Sequence, residues 1–269
     1  MAVMEDRYEL LEKIAEGGRA VVWRARDRSS GQVVALKRLS AAVSVVEMQC
    51  EIEALNAVQH SNIVALHDAG TDEQGGFLAM EFLEGKTLES RAPISLPEFE
   101  TLARQSLAAL EAVHDAGWLH RDVKPENLMQ TGSGDWKLID FGLACRRDEK
   151  IENAMTGSVH FMAPEQFEST VLDVRTDVYA LGGTFYFALT GRVPFEGETT
   201  PQVITAHLYQ KPQPLGELRP DVPGTVTEVI HQMLAREPAA RPATMAEIQA
   251  RPGIASCGSL LVDTLDAST

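Results

Sequence analysis

The chain has 269 residues, 44% of them hydrophobic and 23% charged, which is too apolar for a disordered chain and enough to fill one large domain or two packed lobes. With 39 Asp+Glu against 24 Lys+Arg the formal net charge is -15, which argues against wrapping nucleic acid or lying on an anionic membrane, since both reward a basic surface. Three cysteines, Cys50, Cys145 and Cys257, form no disulfide framework and fit a reducing, cytoplasmic compartment.

The first part of the chain reads as short strands. Residues 8–14 lead into a turn of small residues, 15–20. Val21, Val22 and Trp23 follow, then a turn at Ser29, Ser30 and Gly31 and the apolar run 33–36, together an antiparallel meander. A helix is expected over about 45–58, where Ile52, Leu55 and Val58 recur at helical spacing. Two further strands are expected near 63–68 and 77–81. After Glu84 and Gly85 the pattern turns helical. Residues 97–114 carry Phe99, Leu102, Ala103, Leu107 and Leu110 on one face, with Ser95 as cap and Glu98 three residues on. Further helices are expected over 177–189 and 226–234, and a loose tail over 251–269. No leader pattern opens the chain, and no apolar run approaches the roughly 18 residues of a membrane helix.

Four segments carry chemistry. Ile14-Ala15-Glu16-Gly17-Gly18-Arg19-Ala20-Val21-Val22 is a strand, a small-residue turn and a strand, which lets amides approach phosphate oxygens; an ordinary hairpin reads the same way. Lys37 ends the apolar strand Val33-Val34-Ala35-Leu36. It is either a lysine reaching for water or a cation for phosphates. In the second case a carboxylate must hold it, and Glu51, Glu47 and Glu53 on the following helix compete for that place, with Glu51 preferred. His120-Arg121-Asp122-Val123-Lys124-Pro125-Glu126-Asn127 offers a base or aligner for a hydroxyl (Asp122), a cation (Lys124) and an amide oxygen for a metal (Asn127), in more detail than a polar surface loop explains. Asp140-Phe141-Gly142, thirteen residues after Asn127, ends the expected strand 136–139 and offers a second oxygen ligand for Mg2+.

Taken together with Ala163-Pro164-Glu165, these segments resemble the eukaryotic-type serine/threonine protein kinases over about residues 8–250, and their style is similar to bacterial members. The resemblance implies an α+β, bilobal protein kinase fold, with a small β-rich lobe bearing one main helix (1–83) and a larger helical lobe (84–250). It implies ATP with Mg2+ or Mn2+, transfer to Ser/Thr hydroxyls of protein substrates, and a homodimer for autophosphorylation. Catalysis falls to Asp122, Lys124, Lys37 and Glu51, and metal binding to Asn127 and Asp140. The nucleotide meets Ile14, Gly17, Val22, Ala35, Lys37 and Met129, with Met80 beside the adenine and the backbones of Glu81 and Leu83 bonding it. Leu55, Leu66, His120 and Phe141 form an apolar stack, Asp177 braces the catalytic loop, and Arg241 pairs with Glu165. Thr156 is the expected phosphosite, received by Arg121 with Arg146 or Arg147. Two positions depart from the pattern: Ala15 and Ala20 stand where the family has glycines, which leaves a nucleotide-binding scaffold as the alternative function.

Overall fold

The structure is a computed structural model that describes residues 4–147, 157–168 and 171–254. A short helix, α1 (Met4–Arg7), leads into five strands: β1 (Tyr8–Glu16), β2 (Ala20–Asp27), β3 (Val33–Leu39), β4 (Leu66–Asp72) and β5 (Gly75–Glu81). They form one antiparallel sheet in the order β1-β2-β3-β5-β4. Gly31, at φ 75°, supplies the left-handed residue that the turn into β3 requires. The sheet separates two apolar sets. Val34, Leu36, Phe77 and Ala79 pack with Tyr8 and Ala25 on one face, while Leu78 and Met80 join the main core on the other.

Between β3 and β4 lies α2 (Val45–Ala57), the helix expected from its periodicity. Ser44 and Glu47 close a capping box at its start, and Met48, Glu51, Ala54 and Leu55 form its buried side. The strand expected near 63–68 starts later, at Leu66. Ile63 instead makes a parallel bridge to Leu138, and the Val64 amide donates to the Leu138 carbonyl at 2.9 Å. An apolar run without alternation does not say which lobe it serves, and here residues 63–64 stitch the sheet lobe to the helical lobe.

Past the short strand β6 (Gly85–Thr87) and α3 (Leu88–Arg91), the chain becomes mainly helical. α4 (Leu96–Asp115) starts with Ser95 and Glu98 in a reciprocal capping box, and Phe99, Leu102, Ala103, Leu107 and Leu110 are all buried, as the spacing predicts. Strands β7 (Trp118–Leu119), β8 (Leu128–Thr131), β9 (Trp136–Leu138) and β10 (Cys145–Arg146) make two small sheets, β6-β8-β9 and β7-β10, which carry the loops of chemical interest. After α5 (Pro164–Phe167) comes α6 (Val174–Thr190), buried along most of its length, capped by Asp173 and ended by Gly191 in the left-handed conformation. Phe99 of α4 meets Phe185 of α6 edge-to-face at 5.2 Å. Helices α7 (Thr200–Tyr209), α8 (Leu215–Leu218), α9 (Gly224–Met233) and α10 (Met245–Gln249) complete the lobe, and packing extends to the fully buried Ile254. The architecture is the α+β arrangement expected, a sheet lobe on a helical lobe; residues 255–269, most of the expected tail, lie outside those described.

One buried ion pair ties the far end of this lobe to α5. Arg241 donates to both Glu165 carboxylate oxygens, at 2.7 and 2.8 Å, and to the carbonyls of Arg175, Ala235 and Arg236. Breaking such a pair strands a buried charge. Arg241→Leu is therefore expected to lower stability by about 3–5 kcal/mol in urea denaturation, and a loss below about 1 kcal/mol would show that the pair does not hold α5 to the lobe.

Candidate active site

Register places the first residues of the site. On β3, Ala35 and Lys37 share a face; Val22 of β2 lies directly opposite Lys37, and Met80 of β5 directly opposite Ala35. One face of the sheet thus presents Val22, Ala35, Lys37 and Met80 together. Ile14, near the end of β1, is half exposed, and Gly17 sits in the β1–β2 turn with nothing within 4 Å of the place a side chain would occupy. On the opposite lobe Met129 of β8 is partly buried. The connection between the lobes is held from behind. The Glu81 carboxylate accepts from Lys137 Nζ at 2.7 and 2.9 Å, and the Glu81 amide donates to the Ala65 carbonyl. The Leu83 backbone makes no hydrogen bond to another backbone group among the described residues.

The Lys37 ammonium donates to Glu51 Oε1 at 2.6 Å and to Asp140 Oδ1 at 2.8 Å. The three carboxylates that compete from sequence are now separated: Glu47 receives Arg19, Glu53 receives Arg146, and only Glu51 lies under the sheet at Lys37. Burial would strip the proton from Lys37, but Asp140 and Glu51 outweigh it and hold its pKa above the ordinary lysine value. Burial raises the Glu51 carboxyl, against the pull of Lys37. Asp140 goes the other way. Burial opposes its charge, yet Lys37 and the Gly142 amide, at 3.0 Å, keep its pKa low. Asp140 also keeps 39% of its side chain exposed, whereas Glu51 keeps 3%. The pair divides into an inner, enclosed carboxylate and an outer one that stays partly open to solvent.

The segment 120–127 is shaped from beneath. Asp177 of α6, wholly buried, accepts the backbone amides of His120 (2.9 Å) and Arg121 (2.7 Å) and meets His114 Nε2 at 2.8 Å. Taking both amides bends the chain, and Arg121 adopts φ 67°, a left-handed conformation that a non-glycine residue holds only when its surroundings impose it. The bend delivers Asp122. Its Oδ2 receives Lys124 Nζ at 2.7 Å and Asn127 Nδ2 at 3.0 Å, and Asn127 Nδ2 also donates to the Asp122 carbonyl at 2.8 Å. Its other oxygen meets the Ser158 amide at 3.5 Å, close to Gly157, whose φ of 124° suits glycine. The His120 ring lies 4.7 Å from the Phe141 ring, edge to face. Leu55 and Phe141 belong to one buried cluster, with Leu66 packed against it.

The oxygen donors left over fit a hard divalent cation. Asn127 spends its amide nitrogen on Asp122, which leaves its oxygen directed away from that carboxylate, and Asp140 commits one oxygen to Lys37 and Gly142. One amide oxygen and one carboxylate oxygen suit an ion that completes its shell with water and phosphate oxygens. Among the described residues no three His, Cys, Asp or Glu side chains gather as a protein-only metal cage.

These are two charged clusters, one in which Lys37 bridges the lobes to Asp140 and one within the larger lobe around Asp122, beside a sheet face of small and apolar side chains. The protein kinase domain family matches this chain over residues 8–252. The chain belongs to that family. It is 33% identical over 258 residues to a probable serine/threonine-protein kinase of Clostridium perfringens, covering 91% of this chain and 38% of that protein. It is 30% identical over 256 residues to the serine/threonine-protein kinase PrkC of Bacillus subtilis (91% and 40%), and 35% identical over 271 residues to the serine/threonine-protein kinase pkn3 of Myxococcus xanthus (91% and 50%). The chain thus spans two fifths to one half of these relatives' length. The family implies ATP and a divalent metal.

Of the expected regulatory residues, Thr156 lies outside the described residues. Arg121 donates through Nη1 to the Leu143 carbonyl at 3.4 Å, and Arg146 is engaged with Glu53 at 3.2 Å while stacking on Trp118. The motifs do not announce the supports: Lys137 behind Glu81, His114 under Asp177, and Arg19 on Glu47. In each the residue type is ordinary, and only the fold brings it to its partner.

Asp177 also sets a pH dependence. Its burial disfavours charge, yet bonds from His114 and the His120 and Arg121 amides pull its folded pKa below the ordinary aspartate value. A depressed carboxylate stabilises the fold above the unfolded pKa and loses that contribution as pH falls. Stability should therefore drop as pH falls below about 5, and Asp177→Asn should be less stable at pH 7 with a shallower acid slope. Urea midpoints across pH test this, and identical slopes would contradict it.

Proposed function

We propose that this chain is the catalytic domain of a serine/threonine protein kinase, which moves the γ-phosphate of ATP to Ser or Thr hydroxyls of protein substrates with Mg2+ or Mn2+. The observation that carries this reading is the pairing of the two clusters: Lys37 with Glu51 and Asp140 on one side, Asp122 with Lys124 and Asn127 on the other. ATP supplies the phosphoryl group, and the divalent metal neutralises its oxygens.

In this reading the flat face of Val22, Ala35 and Met80, with Met129 from below, receives the adenine, whose polar edge meets the Glu81 and Leu83 backbones. Ile14 and Gly17 cover the nucleotide from the β1–β2 turn. Lys37, kept protonated and fixed by Glu51, holds the α and β phosphates. Asn127 and Asp140 present their outward oxygens to the metal. Asp122 orients the substrate hydroxyl and takes its proton. Lys124, already on Asp122, balances the charge that develops on the moving phosphoryl group. Little covalent work is asked of the protein; positioning and charge do most of it.

The names of the relatives support the Ser/Thr class, and Lys124 two residues after Asp122 agrees with it. We place the domain in the cytoplasm, where ATP is supplied and where a sparse set of cysteines stays reduced. No helix among the described residues is long and apolar enough to cross a membrane. Autophosphorylation in a homodimer, with Thr156 as acceptor and Arg121 as one receiver of its phosphate, completes the proposal.

Incubation of the purified chain with radiolabelled ATP, Mg2+ or Mn2+ and a generic basic protein tests it. Label should appear on Ser and Thr, with Thr156 among the mapped positions. Asp122→Asn should lower incorporation by about 10²–10⁴ while nucleotide binding persists. An absence of transfer with either metal, with ATP still bound, would sink the reading in favour of a scaffold.

A further inference from the structure

The β1–β2 turn is poorly equipped to hold phosphate with its backbone. The Gly17 amide is already spent on the Ala20 carbonyl at 2.9 Å, and Ala15 and Ala20 replace the residue type that lets a backbone approach an anion most closely. What the turn has instead is a cation, Arg19. Its carbonyl is anchored by the Ser40 amide at 2.8 Å, so the residue is fixed at the root, while its side chain stays 41% exposed.

That guanidinium donates to Glu47 Oε1 at 2.7 Å. The bond helps keep Glu47 ionised, but the capping role of Glu47 does not depend on it. The other Glu47 oxygen takes the Ser44 amide and hydroxyl, both at 2.8 Å, and this capping box stands without Arg19. An ion pair this open to water contributes at most about 1 kcal/mol, so a stronger anion displaces Glu47 at little cost. The place is also right. Glu47 lies one helical turn before Glu51, the carboxylate that holds Lys37, and the positive charge of Arg19 reaches Glu51 itself. Next to the turn, Gly17 and Gly18 have nothing within 4 Å of their absent side chains, so the turn is not packed shut.

We propose that Arg19 is a ligand of the nucleotide's terminal phosphate, exchanging its bond to Glu47 for one to the phosphate when ATP binds. A phosphate offers the guanidinium fork two oxygens and more charge than the half-committed Glu47 carboxylate. The side chain supplies what the two alanines take from the backbone, and it makes the β1–β2 turn sensitive to the third phosphate. The proposal rests on the kinase reading of the cleft.

Binding, measured by calorimetry on the 269-residue chain with Mg2+, tests it apart from catalysis. The probes are adenosine, ADP and a non-hydrolysable ATP analogue. Arg19→Ala should weaken the triphosphate about tenfold, the size of one lost charged hydrogen bond, with ADP much less affected and adenosine unchanged. Arg19→Lys, a point charge without the fork, should fall between. Glu47→Gln keeps a capping-box residue but frees Arg19, and should tighten the triphosphate by about twofold to threefold. An unchanged triphosphate affinity in Arg19→Ala, or an equal loss for all three probes, would overturn the proposal. A wild-type chain that binds none of the probes would overturn the kinase reading first, and this one with it.

Discussion

A single buried carboxylate sets the geometry on which the rest depends. Asp177 sits on the helix at the centre of the larger lobe, with no exposed surface, and it takes the amides of two consecutive residues, His120 and Arg121. A chain that gives two adjacent amides to one carboxylate cannot stay extended, and the left-handed Arg121 is the visible cost. The return is that Asp122, Lys124 and Asn127 close into one hydrogen-bonded group instead of trailing along a loop. Burial makes an unpaired charge expensive, so the arrangement holds only while every partner of Asp177 is in place.

The second organising element is the ammonium shared by the two lobes. Lys37 belongs to the sheet, Glu51 to the helix beside it, and Asp140 to the far side of the cleft. Because Glu51 is enclosed and Asp140 is not, the same cation has a permanent partner and an exchangeable one. The sheet-side stitching of Ile63 and Val64 to Leu138, and of Glu81 to Lys137, keeps the strand that precedes Asp140 in register with the strand that ends at the connection between the lobes.

Much of this was legible in the sequence where a motif names both the residue and its partner. The capping residues Ser95 and Glu98, the apolar face of α4, and the order Lys37, Asp122, Asn127, Asp140 all follow from local pattern. Position in the sequence favours Glu51 over Glu47 and Glu53, and the geometry separates them by giving each its own cation. What stayed illegible has a common cause. Lys137, His114 and Arg19 are ordinary residues whose meaning comes from partners between 28 and 63 positions away, and no local periodicity encodes such a distance. The late start of β4 is the same lesson at the backbone level: residues 63–64 have the composition of a strand, but their partner is Leu138.

Helix α2 gathers these threads. Three of its glutamates address three different segments: Glu47 reaches the β1–β2 turn, Glu51 the lysine of β3, and Glu53 the arginine of β10. At about 100° per residue Glu47 and Glu51 lie about 40° apart, one turn above the other on one face, while Glu53 points about 160° away from Glu51. A small roll of the helix about its axis therefore cannot improve one contact without spoiling the others. The helix works like a key with one deep cut and two shallow ones: the enclosed Glu51 sets its orientation against β3, while the exposed pairs to the turn and to β10 add at most about 1 kcal/mol each and can yield without turning the lock.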